Sequence, residues 1–457
     1  MKRSYSVLAP ILFLLPGIAP ASAEPAQEFH LNNGMKVIVK EDHRAPIAVT
    51  QVWYRVGSSY EPQGITGVSH VLEHMMFKGT EQLGPNEFSR IISENGGREN
   101  AFTSRDYTAY HQTLAADRLE VAFKLEADRM ANLRLDPDEF AKEVEVVKEE
   151  RRLRTEDKPR ALAYEKFNAV AYRSLPYRQP VIGWMADLEQ MTADDLRQWY
   201  ERWYSPANAT LVVVGDVQPQ EIFKLAQKTF GAVPSRRVPA PKGAREPPQQ
   251  GVTRLSVRLP AKQPYLMLGY KVPTLATTAD SWEAYALEVL AAVLDGGSSA
   301  RLDRNLVRGS RVAASADADY SAFKRLSGML ILDGTPNDGQ EIEALEAALK
   351  AEIERLRSEP VEAAELKRVI TQTVASKVYE QDSVFYQGMQ MGVLETVGLD
   401  WRLADTYVDE LRRVTPEQVL AVARKYLVDD NLTVAELEPL PMNGGGTPRT
   451  TEGDSDA

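Results

Sequence analysis

The spacing of apolar and polar residues divides the chain into strands and amphipathic helices. Short runs rich in β-branched and apolar residues predict strands, and apolar residues that recur every three to four positions predict helices. Asp136 suits the N-cap of one such helix, and Pro137 its first turn, where proline is tolerated. In the first half of the chain we predict strands at residues 36–39, 47–56 and 101–114, and helices at residues 68–77, 115–132 and 137–155.

The same order of elements occurs twice along the chain. A helical segment that begins at Met191 leads to an apolar strand at Asn208, and 223 residues later Val414 and Asn431 begin the same two elements. Repetition at a fixed offset is typical of duplicated structural units. We therefore predict an α+β fold made of two homologous α/β-sandwich domains, each with a mixed or antiparallel sheet flanked by helices.

Composition marks the boundaries of these units. Residues 234–251 contain five prolines and few apolar side chains, which predicts an extended, semi-rigid linker. Residues 443–457 consist mostly of small, polar and acidic residues, which predicts a disordered tail. The predicted domains are therefore residues 24–233 and residues 252–442.

The N-terminus has the pattern of a secretory signal peptide over residues 1–23. Lys2 and Arg3 precede an apolar run at residues 7–19 that is too short to cross a bilayer, and the Ala-Ser-Ala sequence that follows suits a cleavage site before Glu24. A mitochondrial presequence would instead contain scattered arginines in an amphipathic helix. We expect export to the periplasm, with secretion as the second choice, and no membrane span in the mature chain.

Charge and cysteine content narrow the function further. The chain of 457 residues has a formal net charge of −11, which argues against a nucleic-acid partner. It contains no cysteine, so disulfides and thiolate metal ligands are excluded. Any metal ion must therefore be held by histidine, aspartate or glutamate side chains.

Two histidines and a glutamate occur within residues 70–74, His-Val-Leu-Glu-His. On a helix, His70, Glu73 and His74 share one face, because residues three and four positions apart are neighbours. Zinc hydrolases use neutral imidazoles as metal ligands and a nearby carboxylate as a base. The pentad therefore predicts a metal site with Glu73 facing the same pocket.

A catalytic zinc site usually has a third protein ligand. Glu143 and Glu150 are seven residues apart on a predicted helix, so both lie on one face, beside an apolar stripe formed by Val146 and Val147. The same pattern also fits an ordinary solvated acidic face, and the residues alone leave the third ligand open. The other candidates are further acidic residues and the remaining histidines, His30, His43 and His111.

Residues 70–80 (HVLEHMMFKGT) resemble the signature of the pitrilysin and insulinase superfamily of zinc peptidases, the inverzincins. They are most similar to the branch that contains the mitochondrial processing peptidase and its bacterial relatives. In that family a helix of the form E-x-x-V-V/I-x-x-E follows further along the chain, and residues 143–150 match it. The resemblance extends over roughly residues 28–440, which is almost the whole predicted mature chain.

The resemblance implies a role for each matching residue. Glu73 is implied as the catalytic general base, and Glu143 as a second catalytic carboxylate that orients a histidine ligand. Glu149 is the rival ligand if the register shifts by one residue. A site of two histidines and one glutamate also accepts manganese or cobalt, although the resemblance implies zinc. The implied ligands of one zinc ion per chain are His70, His74 and Glu150.

Residues 96–103 (GGRENAFT) resemble the substrate-binding edge strand of the family, to which a peptide adds as a further strand. The implied substrate-binding residues are Asn100, Ala101, Phe102 and Thr103. Relatives also hold the peptide with an arginine and a tyrosine from a C-terminal half. The candidates for that pair in this chain are Arg325, Tyr320, Tyr379 and Tyr386.

The resemblance implies a zinc metalloendopeptidase that cleaves short or unfolded peptides. The first domain would bind zinc and the second would be non-catalytic, because the positions that match the pentad are Ala286, Val289 and Leu290. Family members enclose substrate between more domains than this chain supplies, which implies a homodimer, or a heterodimer with a related zinc-less chain. The alternatives are a non-catalytic structural or partner subunit of a peptidase-like complex, and a periplasmic binding protein with structural zinc.

Overall fold

The computed structural model describes residues 26–241 and 243–442. The predicted signal peptide and the predicted C-terminal tail lie outside these residues. None of the helices in the described ranges combines the length and the apolar character needed to cross a membrane.

Two β-sheets form the framework of the chain. The strands are β1 (Gln27–His30), β2 (Lys36–Glu41), β3 (Ile47–Tyr54), β4 (Arg98–Thr103), β5 (Thr108–Ala115), β6 (Ala209–Gly215), β7 (Thr253–Pro260), β8 (Tyr265–Val272), β9 (Ala313–Asp319), β10 (Gly328–Pro336) and β11 (Leu432–Leu440). The first sheet has the order β1-β2-β6-β3-β5-β4 and the second β7-β11-β8-β10-β9. Each sheet contains one parallel pair, β2 with β6 and β7 with β11, among antiparallel neighbours.

Helices flank both sheets, so the predicted fold class is confirmed. They are α1 (Val68–Met75), α2 (Glu87–Glu94), α3 (Leu119–Asn132), α4 (Pro137–Arg151), α5 (Pro159–Ala171), α6 (Met185–Gln190), α7 (Ala193–Trp203), α8 (Pro219–Lys228), α9 (Ser281–Asp295), α10 (Ile342–Ser358), α11 (Ala363–Glu380), α12 (Val384–Thr396), α13 (Leu403–Arg412) and α14 (Pro416–Tyr426).

Three predicted elements differ from the structure. The strand predicted at residues 101–114 is two antiparallel strands, β4 and β5, joined by a turn in which the Ser104 amide donates to the Tyr107 carbonyl at 2.8 Å. The helix predicted at residues 137–155 leaves α-helical geometry after Arg151 and ends in a π-helical turn. The helix predicted from residue 115 begins at Leu119, after a short 3-10 turn.

Both faces of each sheet are covered. All residues of β6 are buried, which explains why its sequence, Ala-Thr-Leu-Val-Val-Val-Gly, is nearly continuously apolar instead of alternating. One face of the first sheet packs against a large core with helices of the first half. The opposite face forms a separate cluster that includes Trp53 of β3, Val212 and Val214 of β6 and Met391 of α12.

The helices that cover the outer faces are exchanged between the two halves of the chain. α12 belongs to the second half but packs on β3 and β6 of the first sheet. α5 belongs to the first half but packs on β7, β8 and β11 of the second sheet. Each half therefore completes the core of the other, and neither sheet is fully buried by its own half.

A glycine allows close packing at each of the two contacts between an exchanged helix and a sheet. A Cβ atom on Gly392 of α12 would lie 2.1 Å from the indole of Trp53, and one on Gly269 of β8 would lie 2.5 Å from the ring of Phe167 in α5. Trp53 and Gly269 occupy corresponding positions in the two halves, because residues 53–56 (Trp-Tyr-Arg-Val) resemble residues 269–272 (Gly-Tyr-Lys-Val). The large residue is therefore on the sheet in one contact and on the helix in the other.

We expect Gly392→Ala to destabilise the chain by about 1–3 kcal/mol, because the added methyl group overpacks against Trp53. Intrinsic helix propensity alone would favour alanine by about 1 kcal/mol, so the sign of the effect tests the packing. Chemical denaturation measures the free energy of unfolding. Gly231→Ala is the matched control, since its Cβ would meet its nearest neighbour at 3.8 Å. Equal effects of the two substitutions would contradict the contact.

Candidate active site

Helix α1 places the two half-buried histidines on the face that points away from the core. Val71, Leu72 and Met75 are buried in the core, which turns the opposite face of the helix outward. The helix begins after Gly67, whose φ of 89° is left-handed and whose Cβ would lie 2.6 Å from the Ile182 carbonyl oxygen. Both requirements demand glycine at this position.

A buried carboxylate fixes the first turn of α1. Glu61 accepts hydrogen bonds from the backbone amides of Gly67 at 2.7 Å and Ser69 at 2.9 Å, so it satisfies amides that have no partner inside the helix. The indole of Trp199, in α7, donates to the Ser69 hydroxyl at 3.1 Å. The helix is therefore held immediately before its first histidine.

The structure brings His70, His74 and Glu150 together. α4 packs against α1, and Glu150 Oε2 lies 3.4 Å from His74 Nε2 and 3.8 Å from His70 Nε2. One ligand atom from each residue can be chosen so that all three lie within 4.8 Å of one another. Zinc bonds of about 2.0–2.1 Å in a tetrahedral site separate ligand atoms by about 3.4 Å. The donor set and its spacing therefore fit a zinc ion.

Burial keeps the first histidine available as a ligand. Burial lowers the pKa of His70 to about 3, with smaller contributions from His74 and Arg154, so its imidazole is neutral. The Nδ1 atom of His70 is buried and has no hydrogen-bond partner in the described part of the chain. A neutral imidazole is the form that binds metal.

Glu143 contacts the Nδ1 side of the His74 ring, whereas Glu150 faces Nε2. Glu143 Oε2 lies 3.2 Å from His74 Nδ1, which leaves Nε2 of His74 facing Glu150. Its other oxygen accepts from the ammonium group of Lys78 at 2.7 Å. A carboxylate in this position fixes the ring orientation and the tautomer of a metal-binding histidine. Val146, which we predicted beside this face, is instead 48% exposed, and Val144 and Val147 form the buried stripe.

Glu73 lies against β4, the strand that contains the predicted substrate-binding residues. The Thr103 hydroxyl, at the end of β4, donates to Glu73 Oε2 at 2.5 Å. Burial raises the pKa of Glu73, and the hydrogen bond from Thr103 opposes this effect. The carboxylate is therefore connected to the end of β4 and faces the same cleft as the two histidines.

An open cleft of about 770 Å³ contains the whole group. Asn100, Ala101, Phe102 and Thr103, the predicted substrate-binding residues, line it together with His70, Glu73, His74 and Glu150. β4 is at the end of the strand order and pairs only with β5 among the described residues. Its outer edge can therefore accept a further strand at the cleft.

The lining of the cleft also contains residues that the sequence did not predict. Tyr164, Glu165 and Asn168 of α5 line it, as do Arg105 and Arg178. α5 rests on the second sheet, so the second half of the chain supports one wall of the cleft. These residues have no motif or periodicity that distinguishes them from ordinary surface positions, and only the three-dimensional contact identifies them.

The other residues that the sequence suggested as metal ligands or as substrate-holding residues lie outside the cleft. His43 contacts Asp216 and Glu41, His30 lies 3.6 Å from Glu28, and His111 packs against Phe385, so none joins the histidine pair. The candidates for a substrate-holding arginine and tyrosine do not line the cleft either. Arg325 stacks on Tyr60 and donates to Ser59, Tyr320 donates to the Pro273 carbonyl, and Tyr379 and Tyr386 are exposed.

Comparison with known families gives two adjoining matches. Residues 36–183 match the model described as insulinase (peptidase family M16), and residues 190–373 match the model described as peptidase M16 inactive domain. The first match contains the pentad and the glutamate helix. The second contains α9, where the pentad has no counterpart.

Similar proteins cover nearly the full length of this chain. The zinc protease PqqE of Helicobacter pylori is 31% identical over 415 residues, which are 90% of this chain and 92% of that protein. The uncharacterized zinc protease YmxG of Bacillus subtilis is 26% identical over 404 residues, covering 88% and 96% of the two chains.

Solved structures share the fold. The crystal structure of a protease from Helicobacter pylori matches 91% of this chain and 100% of its own, with a TM-score of 0.86 and 29% identity. The periplasmic protease PqqL of Escherichia coli matches 91% of this chain and 48% of its own, with a TM-score of 0.76 and 17% identity. The second likeness concerns the fold alone.

We expect Glu143→Ala to weaken zinc binding about 10–100-fold, because His74 loses the carboxylate that orients it. Competition with a chromophoric chelator measures the affinity. Glu149→Ala is the matched control, since this side chain is 59% exposed and pairs with Arg152. A loss of affinity in Glu149→Ala with none in Glu150→Ala would contradict the placement of Glu150 in the metal site.

Proposed function

Because the chain belongs to the insulinase family of peptidases, family M16, we propose that it is a zinc-dependent endopeptidase of short or unfolded peptides. The observation that supports this most strongly is the convergence of His70, His74, Glu150 and Glu73 in one cleft beside a free strand edge. A closed structural zinc site usually has four protein ligands, whereas three ligands leave a position for chemistry.

The chain's own residues have distinct roles in the proposed reaction. His70, His74 and Glu150 hold the metal, and Glu143 orients His74. When bound, zinc supplies Lewis acidity, which lowers the pKa of water and polarises a peptide carbonyl. Glu73 accepts the proton of the attacking water and returns it to the leaving amine. Thr103 holds the Glu73 carboxylate through its hydroxyl.

The strand edge supports a preference for extended peptides. A peptide that pairs with β4 would expose its backbone along Asn100 to Thr103 and bring one carbonyl to Glu73. A folded protein cannot offer such an edge without local unfolding. The cleft is open on one side, which supports assembly with a second copy or with a related zinc-less chain that would cover it.

We also propose that the chain is exported and that only its first half is catalytic. The apolar N-terminal run and the Ala-Ser-Ala site support export to the periplasm. The residues of α9 that match the pentad are apolar and buried, which supports a non-catalytic role for residues 252–442. N-terminal sequencing of the exported protein should begin at Glu24.

We expect Glu73→Gln to lower the rate of peptide cleavage at least about a hundredfold, because the amide cannot accept the proton. Cleavage of a quenched fluorogenic peptide by the mature chain measures the rate, with and without a chelator. Zinc content should remain one ion per chain in the variant. Glu145→Gln is the control, since Glu145 lies on α4 but is 66% exposed.

The outcomes separate the alternatives. Chelator-sensitive cleavage that is lost in Glu73→Gln supports the peptidase. A wild-type chain that binds zinc but cleaves no peptide indicates a non-catalytic subunit or a missing partner chain. A chain that neither cleaves nor binds zinc contradicts the proposed metal site.

A further inference from the structure

Three arginines line the cleft of a chain whose net charge is −11. Arg105 follows the end of β4, Arg154 lies in the π-helical turn after α4, and Arg178 lies in the segment after α5. They reach the cleft from three separate segments, so no single solvated helix face accounts for them. Their three positive charges are matched in number by the carboxylates of Glu73, Glu150 and Glu165, so the pairing of each arginine decides whether it can bind an anion.

Among the described residues, the carboxylates of the cleft leave two of these three arginines without an acidic partner. Glu165 forms a bidentate pair with Arg151, with both distances at 2.8 Å. Glu150 is 2.7 Å from Arg154, but it is also a proposed metal ligand. In the described part of the chain, no carboxylate lies within 4.0 Å of the guanidinium of Arg105 or Arg178. Metal binding would add two further positive charges.

The surroundings of Arg105 favour the binding of an anion to its guanidinium group. Its side chain is half-buried, and its Nε atom is buried without a hydrogen-bond partner in the described ranges. Burial, with repulsion from Arg105, lowers the pKa of the nearby Lys324. A guanidinium that is partly removed from water gains more from a carboxylate than an exposed one does.

We propose that the cleft selects peptides that have a carboxylate close to the scissile bond, bound by Arg105 and Arg178. This inference rests on the proposed peptidase function and names its substrate class. Arg105 is two residues beyond Thr103, whose hydroxyl holds Glu73, so the anion site adjoins the proposed point of cleavage. The planar fork of arginine suits a carboxylate, and these two guanidinium groups have no carboxylate partner among the described residues.

Either a side chain or a chain terminus could supply the carboxylate, and three sets of short fluorogenic peptides distinguish them. One set has an amidated C-terminus and a single glutamate placed in turn at each position around the scissile bond. The second has glutamine at those positions, and the third has glutamine and a free C-terminus. We expect kcat/KM to be about tenfold higher for the best glutamate peptide than for its glutamine counterpart.

The preference should depend on the two arginines. In Arg105→Gln and in Arg178→Gln we expect the glutamate-to-glutamine ratio to fall to about twofold or less, whereas a general structural defect would slow both peptides equally. Arg412→Gln is the matched control, because Arg412 is 57% exposed on α13 and outside the cleft. A preference limited to the free C-terminus would assign the site to the terminal carboxylate. Equal rates for all sets would overturn the proposal.

A binding measurement separates this inference from the peptidase itself. The mature, zinc-loaded Glu73→Gln variant is mixed with labelled glutamate and glutamine peptides, and fluorescence anisotropy gives their affinities without turnover. We expect tighter binding of the glutamate peptide at low salt and a smaller difference at high salt. Cleavage without any acidic preference would leave the peptidase intact and overturn the inference. Equal or absent binding of both peptides would also overturn it.

Discussion

The need to bury both faces of two similar sheets determines the architecture. Each half lacks a helix for the outer face of its own sheet and receives it from the other half: α12 covers the first sheet and α5 the second. In the first contact Trp53 of the sheet faces Gly392 of α12, and in the second Gly269 of the sheet faces Phe167 of α5. Each contact pairs a large aromatic residue with a glycine, but in opposite arrangements, so the two helices are not interchangeable. The two halves are therefore interlocked, because each contributes a helix to the core of the other.

This interlocking links the second half to the chemistry of the first. The proposed metal ligands are brought together by the contact between α1 and α4, which lies within the first half. Another wall of the cleft is formed by α5, which packs through Phe167 against the second sheet. A half without a metal site can thus still define the shape and charge of the cleft, because it supports the helix between Arg154 and Arg178.

The sequence predicted what depends on local spacing and missed what depends on long-range contact. The face shared by His70, Glu73 and His74 follows from helical periodicity, and the structure has it. Glu150 required resemblance, because no local rule brings α4 to α1. The turn at residues 104–107 lacks glycine and proline, so β4 and β5 read as one strand. The continuous apolar run of β6 indicates burial on both faces, but it does not identify the covering helix.

The most direct test of the proposed metal site is anomalous diffraction at the zinc edge from crystals of the mature chain grown with zinc. The account predicts one anomalous peak per chain within bonding distance of Nε2 of His70, Nε2 of His74 and a carboxylate oxygen of Glu150. Zinc–ligand distances of about 2.0–2.2 Å would identify these atoms as the ligands. A peak at another group, such as His43 with Asp216, or no peak at the cleft, would contradict the account.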